Sequence, residues 1–377
     1  MLKRWKACGA VGVVLMAAFG TPARAQPVDQ GKAAFTLRYV ASPKMTRTKI
    51  KLAQVFAGPG RFTLERGAAR CKGPIGNAVV NSHYCFDAGD ANSREPWVPQ
   101  GVSHVSDAND AGVWHGRKPV VLSWYHRKGE EDADAVQLTF VDQNLEYRHV
   151  RLVVPKRNGK DYGQVAGVHT GGVLWYGRYL YVPETNRGLR VFDTTEIYRG
   201  KGADGYVMPE VGRWQTRRVS DSDDYCRGEN PDPRFSYVGV DRASRPHRIL
   251  VGEYCGNRDD DTRNGRVVAY PARGGKPVTR RGQAVPGTVL TLPGQNVQGV
   301  AYDGDSWYLN QTGRGRTGPS FLHRAKEDRG TGALRDDKVV EAPTGAEDLS
   351  LERDRGVLWS VTEFDDVGRT LYTMPKP

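Results

Sequence analysis

Apolar positions in this chain fall into short alternating or continuous runs cut by tight turns, and no helical period is sustained over a long stretch. One phrase returns five times: a polar or glycine-bearing lead-in, an apolar strand, a tight turn, then a second apolar strand holding Trp or Tyr. The copies begin at Pro99-Gln100-Gly101-Val102, Val168-His169-Thr170-Gly171-Gly172, Ser236-Tyr237-Val238-Gly239-Val240, Val297-Gln298-Gly299-Val300 and Ala346-Glu347-Asp348-Leu349. Strand-rich units recurring at roughly 50 to 70 residues predict an all-β fold of the β-propeller type. Five blades are expected, with six as the alternative count.

Each copy reads as part of a blade. The first holds runs 120–125, 136–142 and 150–154, the second 172–176, 179–182 and 189–193, and the third 249–254 and 266–270. The fourth holds 301–302 and 306–309 around the turn Asp303-Gly304, and the fifth 356–361 and 370–373. Residues 96–377 are therefore assigned to the propeller, and 26–95 to an N-terminal segment. In that segment Lys49 to Phe56 alternates like a half-buried strand. It is predicted to complete the last blade, because an unpaired blade leaves an open edge. Trp124, Tyr181, Tyr254, Trp307 and Trp359, at the second strands, are read as core. Trp97, Trp114 and Trp214 are the candidates for an exposed aromatic rim.

Residues 1–25 have the three parts of a secretory signal: Lys3-Arg4-Lys6, an apolar run from Ala10 to Phe19, and Ala23-Arg24-Ala25. The apolar run is too short to span a bilayer, and no later stretch replaces it. The expectation is a secreted, extracellular monomer. Removing the signal leaves Cys71, Cys85, Cys226 and Cys255, an even set without metal-site spacing. Proximity in sequence suggests disulfides Cys71–Cys85 and Cys226–Cys255 among the three pairings open to four cysteines. The signal takes Lys3, Arg4, Lys6 and Arg24 with it and no acid, so the net charge falls from +12 to +8. Bases and acids are interspersed, which argues against a specific nucleic-acid partner and leaves a general attraction to anionic surfaces such as acidic cell-wall polymers.

In a propeller the lead-ins converge at one end of the axis, which brings Gln100, His169, Ser236, Gln298, Glu347 and Asp348 together. Glu347, Asp348 and His169 are the candidate acid, base or metal-ligating groups, and Gln100, Ser236 and Gln298 the candidate ligand-binding ones. The opposing reading is a satisfied polar tunnel holding ordered water. Glu184, Glu253 and Glu363 follow the second strands of three copies, either gathered at one face or each paired with an arginine of the neighbouring blade. Asp221 to Asp224 and Asp259 to Gly265 read as solvated loops, the second failing the helix-loop-helix calcium pattern. No nucleophile elbow, His-Glu-x-x-His zinc motif or phosphate-cradling glycine loop occurs.

Through Gln298-Gly299-Val300-Ala301-Tyr302-Asp303 and from Ala346-Glu347-Asp348-Leu349 to Leu358-Trp359-Ser360, the chain resembles gluconolactonase-like propellers, distantly. It resembles more nearly the secreted actinobacterial propeller proteins of uncharacterised function, from about Pro96 to the end. The gluconolactonase resemblance implies one Ca2+ or Mg2+ in the central tunnel with Glu347 as its Glu ligand. Gln100, His169 and Gln298 stand where that family's Asn and Asp would be expected. Together these readings lead to a secreted propeller that recognises cell-wall or polysaccharide material at its tunnel mouth. The alternative is a secreted glycoside hydrolase or metal-dependent lactonase or esterase that uses the tunnel carboxylates and His169.

Overall fold

The structure is a computed structural model that describes residues 28–58, 62–67, 76–91, 97–127, 135–165, 168–201, 205–217, 226, 232–256, 263–313, 315–316, 318–364 and 368–377. The expected signal peptide, Cys71 and the acidic runs 221–224 and 259–262 lie outside them.

The fold is all-β. Among the described residues, strands succeed one another in five antiparallel meanders of four strands each. The first runs Trp97–His104, Val120–His126, Val136–Val141, Glu146–Pro155. The second runs Leu174–Tyr176, Tyr179–Glu184, Gly188–Asp193, Tyr206–Thr216. Tyr237–Asp241, His247–Gly252, Arg266–Arg273 and Thr288–Thr291 form the third. Val297–Tyr302, Trp307–Gln311, Ser320–Asp328 and Ala333–Ala342 form the fourth.

The fifth is assembled from both ends of the chain. Ser350–Glu352, Val357–Val361 and Thr370–Pro375 are completed by Ser82–Cys85, with Thr370 opposite Cys85 and Thr373 opposite Ser82. The N-terminal segment does supply the last strand, but from a different place than the alternation at Lys49 to Phe56 predicts. Only Lys49–Ile50 is extended there, paired with Ile197 and Tyr198. Leu52–Ala57 is a helix that buries Leu52, Val55 and Phe56. Their i, i+3, i+4 spacing is the helical period, and it prevails over the local alternation.

The meanders meet at their first strands, where glycine decides the spacing. A Cβ on Gly101 would lie closer than 3.0 Å to Gly172 and Val173, one on Gly171 to Ser236, one on Gly239 to Val300 and one on Gly299 to Asp348 and Leu349. The fifth segment returns to the first, Asp348 N–H donating to the Gln100 carbonyl at 3.3 Å. The cycle of first strands is closed. Between the meanders lie apolar clusters, one built on Trp175, Phe140 and Met208 and another on Trp124, Tyr147 and Phe86.

Trp124, Tyr181, Trp307 and Trp359 are buried as expected, while Tyr254 is half-buried under the Arg234 guanidinium. No exposed aromatic rim comes from the three other tryptophans. Trp214 is buried beneath Tyr39, Trp97 lies half-buried under Arg151, and Trp114 packs on Phe56. Cys226 and Cys255 are joined as predicted, and Cys85 is also disulfide-bonded.

Because the first strands touch backbone to backbone, Gly239→Ala is expected to destabilise the protein by about 1–3 kcal/mol through overpacking. Gly163→Ala, whose Cβ would meet nothing within 4 Å, is expected to be neutral. Denaturant titrations of the two variants make the comparison.

Candidate functional site

The lead-in of each meander carries its polar residue to the same end of the axis, and there the fifth meander differs from the rest. Aligned on the phrase, Asp348 stands where Gly101 and Gly299 stand in the first and fourth copies. Its side chain is fully buried and reaches across to the first and second meanders. One carboxylate oxygen accepts the N–H of Val173 at 3.1 Å and of Val102 at 3.4 Å. Burial pushes this carboxyl well above the usual carboxylate range, against the pull of those backbone donors. Asp348 thus ties the fifth meander to the first and second at the level of the glycines.

Beyond Asp348 lies a second hydrogen-bonded polar cluster. Asp107, on the short helix Val105–Ala108, accepts Ser103 Oγ at 3.0 Å and Ser350 Oγ at 2.5 Å. Arg242 donates to the Asp107 carbonyl at 3.0 Å, and Arg353 to its carboxylate at 3.4 Å. His104 packs flat against Trp359 there, and burial pushes its imidazole down to about 3.

The near end is polar. Glu347, fully buried, accepts a hydrogen bond from Gln298 Nε2 at 3.3 Å on one oxygen, while its other oxygen has no partner. Glu363, half-buried, accepts one from Gln100 Nε2 at 3.0 Å, and the Gln100 side-chain oxygen is again without a partner. Adjacent backbone holds the two acids in place. Glu347 N–H donates to the Val361 carbonyl and Glu363 N–H to that of Gly345. Burial, then the neighbouring Glu363 and Asp348, push the Glu347 carboxyl well above its usual range. Burial raises Glu363 as well, opposed by Gln100 and by Arg316, Arg127 and Arg369.

Tyr125 and His169 stand beside the two acids with ring centroids 4.5 Å apart. The Tyr125 hydroxyl is pushed up to about 12 by burial and by Glu363. His169 is exposed to solvent, yet surrounding protein and Arg234 hold its imidazole down to about 4. Exposure falls in order from His169, through Tyr125 and Glu363, to Gln100 and Glu347.

Of the sequence candidates, Gln298 meets Glu347 directly, Gln100 joins through Glu363, and His169 stands against Tyr125. Ser236 is committed to the Tyr254 N–H at 3.1 Å, and Asp348 faces the inner strands. Glu363 and Tyr125 were not among the chosen candidates. Glu363 was visible only as one of three equivalent glutamates, and the other two do pair with arginine. Their partners belong to the same meander, not to its neighbour: Arg190 to Glu184 at 2.8 Å and Arg266 to Glu253 at 2.7 Å.

The donor set does not fit the tunnel cation that the gluconolactonase resemblance implies. Gln298 turns its amide nitrogen to Glu347, and among the described residues no three His, Cys, Asp or Glu side chains are grouped to hold a metal ion.

No protein-family model matches this chain, and no curated protein matches it. Solved structures similar to it include a glycoside hydrolase at 10% identity and TM-score 0.42, covering 76% of this chain and 90% of that one. The GH43_1 enzyme from Xanthomonas citri complexed with xylotriose is 12% identical at TM-score 0.37, covering 74% and 87%. A glucose dehydrogenase is 13% identical at TM-score 0.36, covering 74% and 97%. At scores below 0.5 these likenesses have no bearing on what the chain does.

A carboxyl raised by folding binds its proton more tightly in the native state, so its contribution to stability is present below the unfolded value, about 4.3 for Glu, and is lost as pH rises toward the folded value. Stability is therefore expected to decline from about pH 5 upward, at about 1.4 kcal/mol per unit of upward shift. Glu347→Gln is expected to make the decline shallower in thermal melts from pH 5 to 8. An unchanged slope would count against a neutral Glu347.

Proposed function

We propose that this chain is a secreted five-bladed β-propeller that binds carbohydrate at one mouth of its axis. The five meanders are its blades, and Ser82–Cys85 closes the last of them. Export is supported by the signal-like residues 1–25, by the Cys226–Cys255 disulfide and by the absence, among the described residues, of a helix long and apolar enough to cross a membrane.

One observation carries the ligand class. Glu347 and Glu363 are held by glutamine amides, and burial raises both, against the charges of Arg316, Arg127 and Arg369 at Glu363. Acids that burial shifts toward their neutral form, and amides that donate and accept, beside the rings of Tyr125 and His169, suit a ligand rich in hydroxyl groups. Sugars present such hydroxyls together with an apolar ring face. Asp348 has a structural part in this reading.

A second reading is favoured by the same two acids. A carboxyl kept protonated near neutral pH can give its proton to a glycosidic oxygen, with Glu363 as the partner carboxylate. Glutamine separates the two readings, because it mimics a neutral acid in shape and hydrogen bonding but has no proton to transfer. The first experiment is calorimetric titration with soluble dextran, arabinoxylan, pectin and peptidoglycan fragments, with sugar release assayed in parallel. For a binding protein, Glu347→Gln is expected to keep affinity within a few-fold. For a hydrolase the same variant is expected to lose turnover while its melting temperature stays near that of wild type. Failure to bind or cleave any of the four would sink both readings.

A further inference from the structure

Two basic stretches of this chain hold no acid, residues 30–64 and 273–287, and the fold joins them on the outer flank of the second and third meanders. Leu37–Ala41 runs antiparallel to Tyr206–Thr216 and, at its start, to Gln283–Ala284, with Arg38 opposite both Gln215 and Gln283. Arg217 directly follows Tyr206–Thr216. With the Gln283 amide oriented so that its oxygen faces them, that oxygen accepts from Arg217 Nη2 at 3.0 Å and from Arg38 Nε at 3.1 Å and Nη2 at 3.2 Å. Two guanidinium groups thus close on one neutral atom. The only acid in these three strands is Glu210, which Arg190 and Arg213 already hold, each at 2.7 Å. Among the described residues no carboxylate pairs with Arg38 or Arg217. Both residues are exposed, as are Arg280 and Arg281 in the tight turn that ends at Gln283.

We propose that Arg38, Arg217 and Gln283 form a binding site for a tetrahedral oxyanion, a phosphate or sulfate group. Like charges held against one acceptor repel each other, and an amide cannot neutralise them. Gln283 takes the Nε proton and one Nη2 proton of Arg38 and one Nη2 proton of Arg217, so each exposed guanidinium keeps further N–H donors. A dianion with oxygens in several directions accepts from both forks at once and offsets both charges, whereas the two oxygens of a carboxylate are taken up by a single fork. Arg280 and Arg281 add attraction for a second anionic group of the same ligand. The site lies on the flank and does not depend on the carbohydrate reading of the axis.

The test titrates the full mature protein calorimetrically with inorganic phosphate, sulfate, acetate and polyphosphate at constant ionic strength. Phosphate and sulfate are expected to bind at one site per chain, and acetate about tenfold more weakly. Arg38→Gln and Arg217→Gln are each expected to weaken phosphate about tenfold, and Arg38→Lys, which keeps the charge but loses the fork, nearly as much. Arg329→Gln removes the same charge from an exposed turn elsewhere and is expected to leave the affinity unchanged. Polyphosphate separates the sources of the group. Tighter binding than inorganic phosphate assigns it to a polymer that also meets Arg280 and Arg281, equal binding assigns it to the free ion, and either supports the site. Equal losses in Arg329→Gln and Arg217→Gln, acetate as tight as phosphate, or no binding of phosphate or sulfate would overturn the proposal.

Discussion

Everything in this protein depends on how closely five backbone segments approach one another around a common axis. Gly101, Gly171, Gly239 and Gly299 allow that approach by having no side chain. None of them adopts a left-handed backbone, so the requirement is for space and not for unusual dihedral angles. The fifth segment solves the same problem by the opposite means. Asp348 puts a carboxylate into the gap and spends it on two backbone N–H groups of other meanders. Burying that group is unfavourable, and its raised pKa records the cost. In exchange, one side chain ties three meanders together where the cycle of first strands closes.

Much of the architecture is legible in the sequence because the repeated phrase marks the two innermost strands of every meander. Its blind spots have physical causes. Tyr206–Thr216 escapes recognition because its alternation is broken by charge: Glu210 is fully buried, held by Arg190 at 2.7 Å and Arg213 at 2.7 Å. Thr288–Thr291 is too short for a periodic signal. The Lys49 to Phe56 run carries both an alternating and a helical pattern, and the burial of Leu52, Val55 and Phe56 against the first meanders settles it as a helix. Ser82–Cys85 holds Ser, His and Tyr, only partly buried, and looks like no strand until Thr370–Pro375 lies beside it.

The candidate site divides in the same manner. Gln100, Gln298 and Glu347 occupy one position of the phrase, so convergence follows from the repeat. Glu363 shares its position with Glu184 and Glu253, and spacing cannot tell which of the three will meet an arginine. Arg190 and Arg266 come from the third strands of their own meanders and take the first two. The corresponding residue of the fifth meander, Arg369, donates instead to the Glu363 main-chain carbonyl at 3.1 Å and to that of Asp90 at 3.1 Å. The N-terminal segment, by drawing on Arg369, helps leave the Glu363 carboxylate to Gln100. A tertiary contact from the far end of the chain thus shapes the site.

The strand Ser82–Cys85 also sets a schedule. It is made long before its partner Thr370–Pro375, which lies almost 300 residues further on. Four meanders can form from neighbouring sequence as they appear, but the fifth waits for strands far apart in the sequence to meet, with the loop-closure cost and slow kinetics that such distant pairing brings. Until then the ring has a seam, and residues on both sides of that seam, Gln100 on one and Glu347 and Glu363 on the other, are apart. The candidate site is therefore complete only once two strands from distant parts of the sequence have paired, so its polar groups come together late in folding.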